Sequence, residues 1–162
     1  MVDIEHVEIQ QVSKLDTGTL FFISLVSARP LLCISAMEKG PSGDNRIVIP
    51  LLFPDDDASV FTAFDESVFS DLAVVLNDTK VVVDKQTLNN GDYTGATRGM
   101  IFADGASLFV RTFYRGMRGK LLNLHTGLLE NNLSQPLVSF DRWRIQCGED
   151  DPETIAEFIA QH

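Results

Sequence analysis

Cysteine, histidine and tryptophan are scarce in this chain, and each scarcity narrows the chemistry it can do. The 162 residues hold two cysteines, three histidines and one tryptophan. Cys33 and Cys147 stand far apart with no Cys-x-x-Cys pair. That usage fits buried, reduced core residues better than a disulfide framework. His6, His125 and His162 form no His-x-His, His-Glu-x-x-His or Cys/His spacing, so no zinc site is expected. Gly91, Gly95 and Gly99 recur every four residues, but no Gly-Lys-Ser/Thr follows, which excludes a phosphate-binding P-loop. No Gly-x-Ser-x-Gly elbow occurs. Asp55-Asp56-Asp57 lacks the interleaved spacing of a calcium loop and reads as a solvated acidic turn. No cofactor and no metal are expected.

Long apolar runs are missing too. None approaches the roughly 20 residues of a membrane-spanning helix. The first residues, Met1-Val2-Asp3-Ile4-Glu5, are acidic and carry no basic segment ahead of an apolar one, so a cytoplasmic, soluble protein is expected. Positive charge is in deficit: 13 Lys and Arg against 23 Asp and Glu give a net charge of −10. Nonspecific binding to nucleic acid or anionic lipid depends on neutralising phosphates, and this balance disfavours both. The deficit is uneven. Residues 1–90 carry 6 Lys and Arg against 14 Asp and Glu, whereas residues 98–146 carry 7 against 3.

What the chain does have is short, alternating or β-branched apolar runs broken by turn residues. The segments Ile4–Val12, Thr19–Val26, Leu31–Met37, Arg46–Phe53 and Lys80–Asp84 read as strands. Thr19–Val26 is apolar throughout and suits a strand covered on both faces. Gly40–Asn45 reads as a loop. Pro50 removes a ladder donor, which places its strand at a sheet edge or at a bend. Val68, Phe69, Leu72, Val75 and Leu76 fall at helical spacing, so an internal helix is read over Asp65–Asn77. Leu88–Thr97 reads as a loop and Pro136–Cys147 as one long strand. Asp151-Pro152 resembles a helix start, and Ile155, Phe158 and Ile159 then form the stripe of a docking helix over about 152–162. The length suits one domain. The expected fold is a single mainly β domain over 1–162, an antiparallel barrel or sandwich of roughly eight or nine strands, closed by the C-terminal helix.

The most informative stretch is Arg98–Thr126, which reads as a three-stranded meander. Asp104-Gly105 suits a two-residue type I′ turn. That turn sets Ala103 opposite Ala106, Ile101 opposite Leu108, Met100 opposite Phe109 and Arg98 opposite Arg111. An odd-length loop at Arg115–Gly119 would add Arg111 opposite Asn123 and Phe109 opposite His125. One face is then apolar: Ile101, Leu108, Val110, Leu122 and Leu124. The other carries Met100, Phe109, Phe113 and Leu121 around a polar row of Arg98, Arg111 and Asn123. Two arginines facing each other need a partner, so Arg98, Arg111, Asn123 and His125 are the candidate anion site. Phe109, Phe113, Arg115, Arg118 and Lys120 are secondary candidates.

Three functions follow as expectations. The first is a non-enzymatic binding or assembly module, with a protein partner or a second copy as its target. The second is a small anionic-ligand carrier or enzyme with its site inside the barrel, lined by Phe109, His125, Arg111 and Asn123. The third is single-stranded nucleic-acid binding, because Phe109, Arg111, Phe113, Arg115, Arg118, Lys120, Arg142 and Trp143 interleave aromatic and basic side chains. The net charge makes nucleic acid the least favoured partner.

Overall fold

A computed structural model describes residues 7–24, 30–52, 71–89, 99–112, 120–131 and 138–160. Among these, 14 strands form three antiparallel sheets. The first runs, edge to edge, β1 (Glu8–Gln11), β5 (Leu72–Val75), β2 (Leu20–Ile23), β3 (Leu31–Gly40), β4 (Gly43–Leu52). The second runs β11 (Leu129–Glu130), β10 (Leu121–Asn123), β9 (Ser107–Arg111), β8 (Ile101–Asp104), β12 (Val138–Phe140), β7 (Leu88–Asn89). The third is β14 (Glu153–Ile159), β13 (Arg142–Cys147), β6 (Thr79–Val83). Each sheet is open, so the expected barrel is replaced by sheets that pack on one another.

Alternation explains which faces pack. Leu32, Ile34, Ile47 and Ile49 of the first sheet, Ile101, Val110 and Leu122 of the second, and Trp143, Ile145, Ala156 and Phe158 of the third belong to one buried cluster. The opposite face of the first sheet buries Phe21, Ile23, Leu31, Cys33, Val48 and Ala73 under Val12 and Leu15. Apolar runs in β2 and β3 therefore have core on both sides, as read for Thr19–Val26. Each fully buried large side chain contributes roughly 1.5–3 kcal/mol. Pro50 lies on the outer strand β4, opposite Cys33 and beside a register shift at Leu32/Cys33. Both an edge and an irregularity accommodate its missing donor.

Several elements differ from the expectation. The C-terminal helix is a strand: β14 pairs β13 with Arg142 opposite Ile159 and Trp143 opposite Phe158. Ile155, Phe158 and Ile159 satisfy a helical spacing, but Ala156, Phe158 and Ala160 alternate equally well and are the residues buried. A seven-residue segment cannot decide between the periods, and the open edge of β13 does. The internal helix fails likewise in its described part, because Leu72–Val75 fills the slot between β1 and β2. The loop at Gly40–Asn45 shrinks to Pro41-Ser42, with Gly40 opposite Gly43. Within Leu88–Thr97, Leu88–Asn89 is a short strand.

The long strand Pro136–Cys147 is two strands in different sheets, divided at Asp141. Its neighbour crosses beside it, from β6 through a 3₁₀ turn (Lys85–Thr87) into β7. The bend is held by hydrogen bonds across it. Asp84 N–H donates to Arg142 O at 2.9 Å, Arg142 N–H to Thr87 Oγ1 at 3.1 Å, and Asn89 Nδ2 to Asp141 Oδ2 at 3.0 Å.

The first two sheets are joined at a backbone crossing. Gly18 N–H donates to Ser35 O at 2.7 Å, and Met37 N–H to Gly127 O at 2.9 Å. Met37 and Leu128 form a parallel bridge there. Lys120 Nζ and Glu38 Oε1 add an ion pair, both side chains about a quarter exposed. Among the described residues no helix is long and apolar enough to cross a membrane.

Candidate functional site

The register of the meander decides where the sequence-derived candidates lie. The turn comprises Gly105-Ala106, flanked by Asp104 opposite Ser107. Gly105 has φ +60°, and Ala106 is not among the positive-φ residues. This matches the type II′ pattern of Gly at the first central position rather than an Asp-Gly I′ turn. Ile101 therefore pairs with Val110 and Phe102 with Phe109, in place of the predicted partners. On the next ladder Arg111 stands opposite Leu121, and Asn123 opposite Phe109. The predicted Arg111–Asn123 and Phe109–His125 pairs are thus replaced. Each pairing moved by an even number of positions, so the faces survived. Ile101, Val110, Leu122 and Leu124 enter the main core, whereas Met100, Phe102, Phe109 and Leu121 cluster on the other side.

Arg98, Phe113, Arg115 and Arg118 lie outside the described residues. Lys120 is engaged with Glu38. Phe109 is buried. Trp143 is buried too, stacked on Phe158 with ring centroids 3.9 Å apart, and its Nε1–H donates to Gly99 O at 2.7 Å. Neither of these two rings presents a face on which a base could stack. Cys33 is fully buried and Cys147 half-buried, and both are free thiols. Cys147 Sγ donates to Asn77 O at 2.9 Å. Burial pushes the Cys33 thiol far above its ordinary value.

Asn123 has a structural task next to His125. Its buried side-chain Oδ1 accepts from His125 N–H at 2.9 Å and from Thr126 N–H at 3.1 Å. Its backbone carbonyl accepts from Gly127 N–H at 2.8 Å. The turn at 124–127, expected as the end of a strand, is thereby fixed, and it holds His125 on the surface.

His125 lines a cleft of about 290 Å³ to which all three sheets contribute. Leu20 and Leu124 are its buried floor. Val81 of β6 and Leu108 of β9 are half-buried walls, beside Gly18, Thr79 and Ala106. Lys80 and His125 are exposed residues of the lining. Among the described residues no carboxylate lines this cleft. Past Leu20 and Thr79, a second cleft of about 260 Å³ has the opposite character, lined by Glu8, Asp16 and Asp78 with Gln10 and Asn77. Asn77 Nδ2 donates to Glu8 Oε2 at 3.0 Å, and Gln10 Nε2 donates to Glu8 Oε1. Among the described residues no group of three or more His, Cys, Asp or Glu is placed to hold a metal ion.

Sequence reasoning reached His125 and Asn123 but missed Lys80, Thr79, Leu20 and Ala106. No local signal marks them, because they come from three separate segments that meet only in the folded chain. Comparison with known protein families, curated proteins and solved structures finds no match for this chain.

Proposed function

We propose that this chain is a non-enzymatic binding module and that the cleft shared by the three sheets is where it binds. The construction of the cleft carries this reading: an apolar floor, polar groups at Thr79 and His125, and walls on hydrogen-bonded ladders. Small-molecule sites are of this kind, concave and mostly apolar with a few placed polar groups. Rigid walls reduce the ordering cost of binding. Among the described residues, no hydrogen bond to another side chain activates Thr79, Lys80 or His125, as a nucleophile–base pair would require. The test is a small-molecule panel read by two-dimensional NMR on the full chain. A ligand of this site should shift the amides of Thr79–Val81, Leu108 and Leu124–His125 together. A panel that leaves them unmoved removes the reading.

A second reading, assembly with another copy, is favoured by the outer ladder of the first sheet. Val7, Ile9, Leu72 and Val74 are 58%, 58%, 64% and 38% exposed. Ile9 stands opposite Val74, and Leu72 lies two residues along the same face. Antiparallel pairing of two β1 strands about Ile9 would set each Glu8 opposite a Gln10, so no like charges meet. An edge strand is a template for such pairing, and β1 carries only one charged residue, Glu8. Light scattering over a dilution series tests it: a dimer mass that Ile9→Lys converts to monomer supports assembly, and a constant monomer mass for the parent rejects it.

A further inference from the structure

Resting on assembly through β1, we infer that two copies join in one register only, Ile9 against the partner's Ile9, so that their first sheets become one continuous sheet across a two-fold axis. The phase of the backbone selects this register. Val12 N–H donates to Asp71 O at 3.0 Å, and these residues continue the ladder that sets Gln11 opposite Leu72. In an antiparallel ladder every second residue turns its N–H and C=O to the same neighbour. Val12, Gln10 and Glu8 therefore turn theirs toward β5, and Gln11, Ile9 and Val7 turn theirs to the outer edge of the sheet. The next ladder agrees. Leu76 N–H donates to Leu20 O, so Leu76, Val74 and Leu72 address β2, which leaves Val75, Ala73 and Asp71 for β1.

Two β1 strands hydrogen-bond only when outward-facing residues stand opposite outward-facing residues. The two-fold axis then passes through a residue and never between two. Centred on Glu8, it would bring two carboxylates face to face, which destabilises a sheet. Centred on Gln10, it would set Glu8 against Val12, which is buried where the chain enters the 3₁₀ turn Val12–Lys14. Centred on Ile9, the outward residues match along the whole edge: Ile9 meets the partner's Ile9, and Val7 meets the partner's Gln11 on either side. Each such pair exchanges two N–H···O bonds. Glu8, the one charged residue of the strand, then stands opposite the partner's uncharged Gln10. Directly opposite residues share a face of the sheet. The Ile9 side chains, 58% exposed in one copy, therefore pack on each other across the axis, each flanked by its own Val74. The edge thus supplies its own best partner, apolar against apolar with no like charges in contact.

Cysteine substitution reads the register. Cα atoms lie about 5.5 Å apart across a hydrogen-bonded pair and about 4.5 Å across a non-hydrogen-bonded pair, and a disulfide spans both. In the Ile9-centred register the two Glu8 residues are out of line by two positions, about 8 Å apart, beyond that span. The test uses the full chain carrying Cys147→Ser, which leaves only the fully buried Cys33. After oxidation, Ile9→Cys should run as a linked dimer on a non-reducing gel. Glu8→Cys alone and Gln10→Cys alone should run as monomers, and an equimolar mixture of the two should give the linked dimer. The mixture keeps Ile9 in place, so the register is read even where Ile9→Cys weakens the contact. Light scattering on the same proteins reports assembly itself. A dimer mass that Ile9→Lys abolishes, combined with linkage through Glu8→Cys alone or Gln10→Cys alone or with no linkage in the mixture, would overturn the register and leave assembly through β1 standing. A constant monomer mass for the parent would overturn both.

Discussion

At Gly127 the chain passes too close to its neighbours for any side chain. A Cβ there would lie 2.4 Å from Gly18 N and 2.6 Å from Ser35 O, both backbone atoms held in the crossing of the first two sheets. The backbone is also left-handed, with φ +74°. Gly127→Ala combines a conformational cost of about 1–2 kcal/mol with overpacking of about 1–3 kcal/mol. Gly105, at φ +60° in the open turn, meets nothing within 4 Å. Gly105→Ala should therefore lose only the conformational part, about 1–2 kcal/mol. Urea midpoints of the two variants measure the difference, and equal losses would mean that the crossing yields freely. Cys33 gives a second test at this scale. Burial raises its thiol, so the folded state keeps the proton when the unfolded chain releases it, above about pH 8.5. Its contribution is complete below that pH and is lost as pH rises, at about 1.4 kcal/mol per unit. Parent and Cys33→Ala stabilities should converge by about 1 kcal/mol between pH 7.5 and 9.5. A constant gap would show that the thiol ionises in place. The close approach at Gly127 is not visible locally, since it depends on which distant segments lie beside it, whereas the burial of Cys33 was read from the sequence.

The C-terminal segment shows what decides an element. Its apolar residues fit both a helical and an alternating pattern, and the docked edge of β13 selects the strand, with Phe158 buried on Trp143. Phe158→Ala should cost about 3–5 kcal/mol and alter the fluorescence of the single tryptophan. A loss below about 1 kcal/mol would show that β14 is not integrated in the core. The meander carries the complementary lesson. Its three strands and the assignment of their faces were legible, because alternation is a property of each strand alone. Its register was not, because Asp104-Gly105 can enter a turn as its two central residues or with only the glycine inside. That single step set Ile101 opposite Val110 and Phe102 opposite Phe109, while the pairing of Arg111 with Leu121 in place of Asn123 belongs to the next ladder. The division of Pro136–Cys147 at Asp141 was equally hidden: alternation runs through the break, and the bend is set by hydrogen bonds to Asp84, Thr87 and Asn89.

Across the whole molecule, the net charge of −10 opposes contact between copies. Association through β1 should therefore strengthen as salt rises from 20 to 300 mM, because screening weakens the repulsion between copies. Light scattering over that salt series measures it, and a dimer fraction that falls as salt rises would mean that repulsion between copies does not govern the contact. The β class, the covering of β2 on both faces and the placing of the proline-bearing strand at an edge or a bend followed from the amino-acid sequence alone. They depend on side-chain volume, alternation and missing donors, which each residue carries with it. The division into three sheets, the strand at the C-terminus and the cleft to which all three sheets contribute were decided by the tertiary structure. Those features depend on which ladders find a free edge and which apolar faces cover one another, and that choice is made by burial summed over segments far apart in the chain.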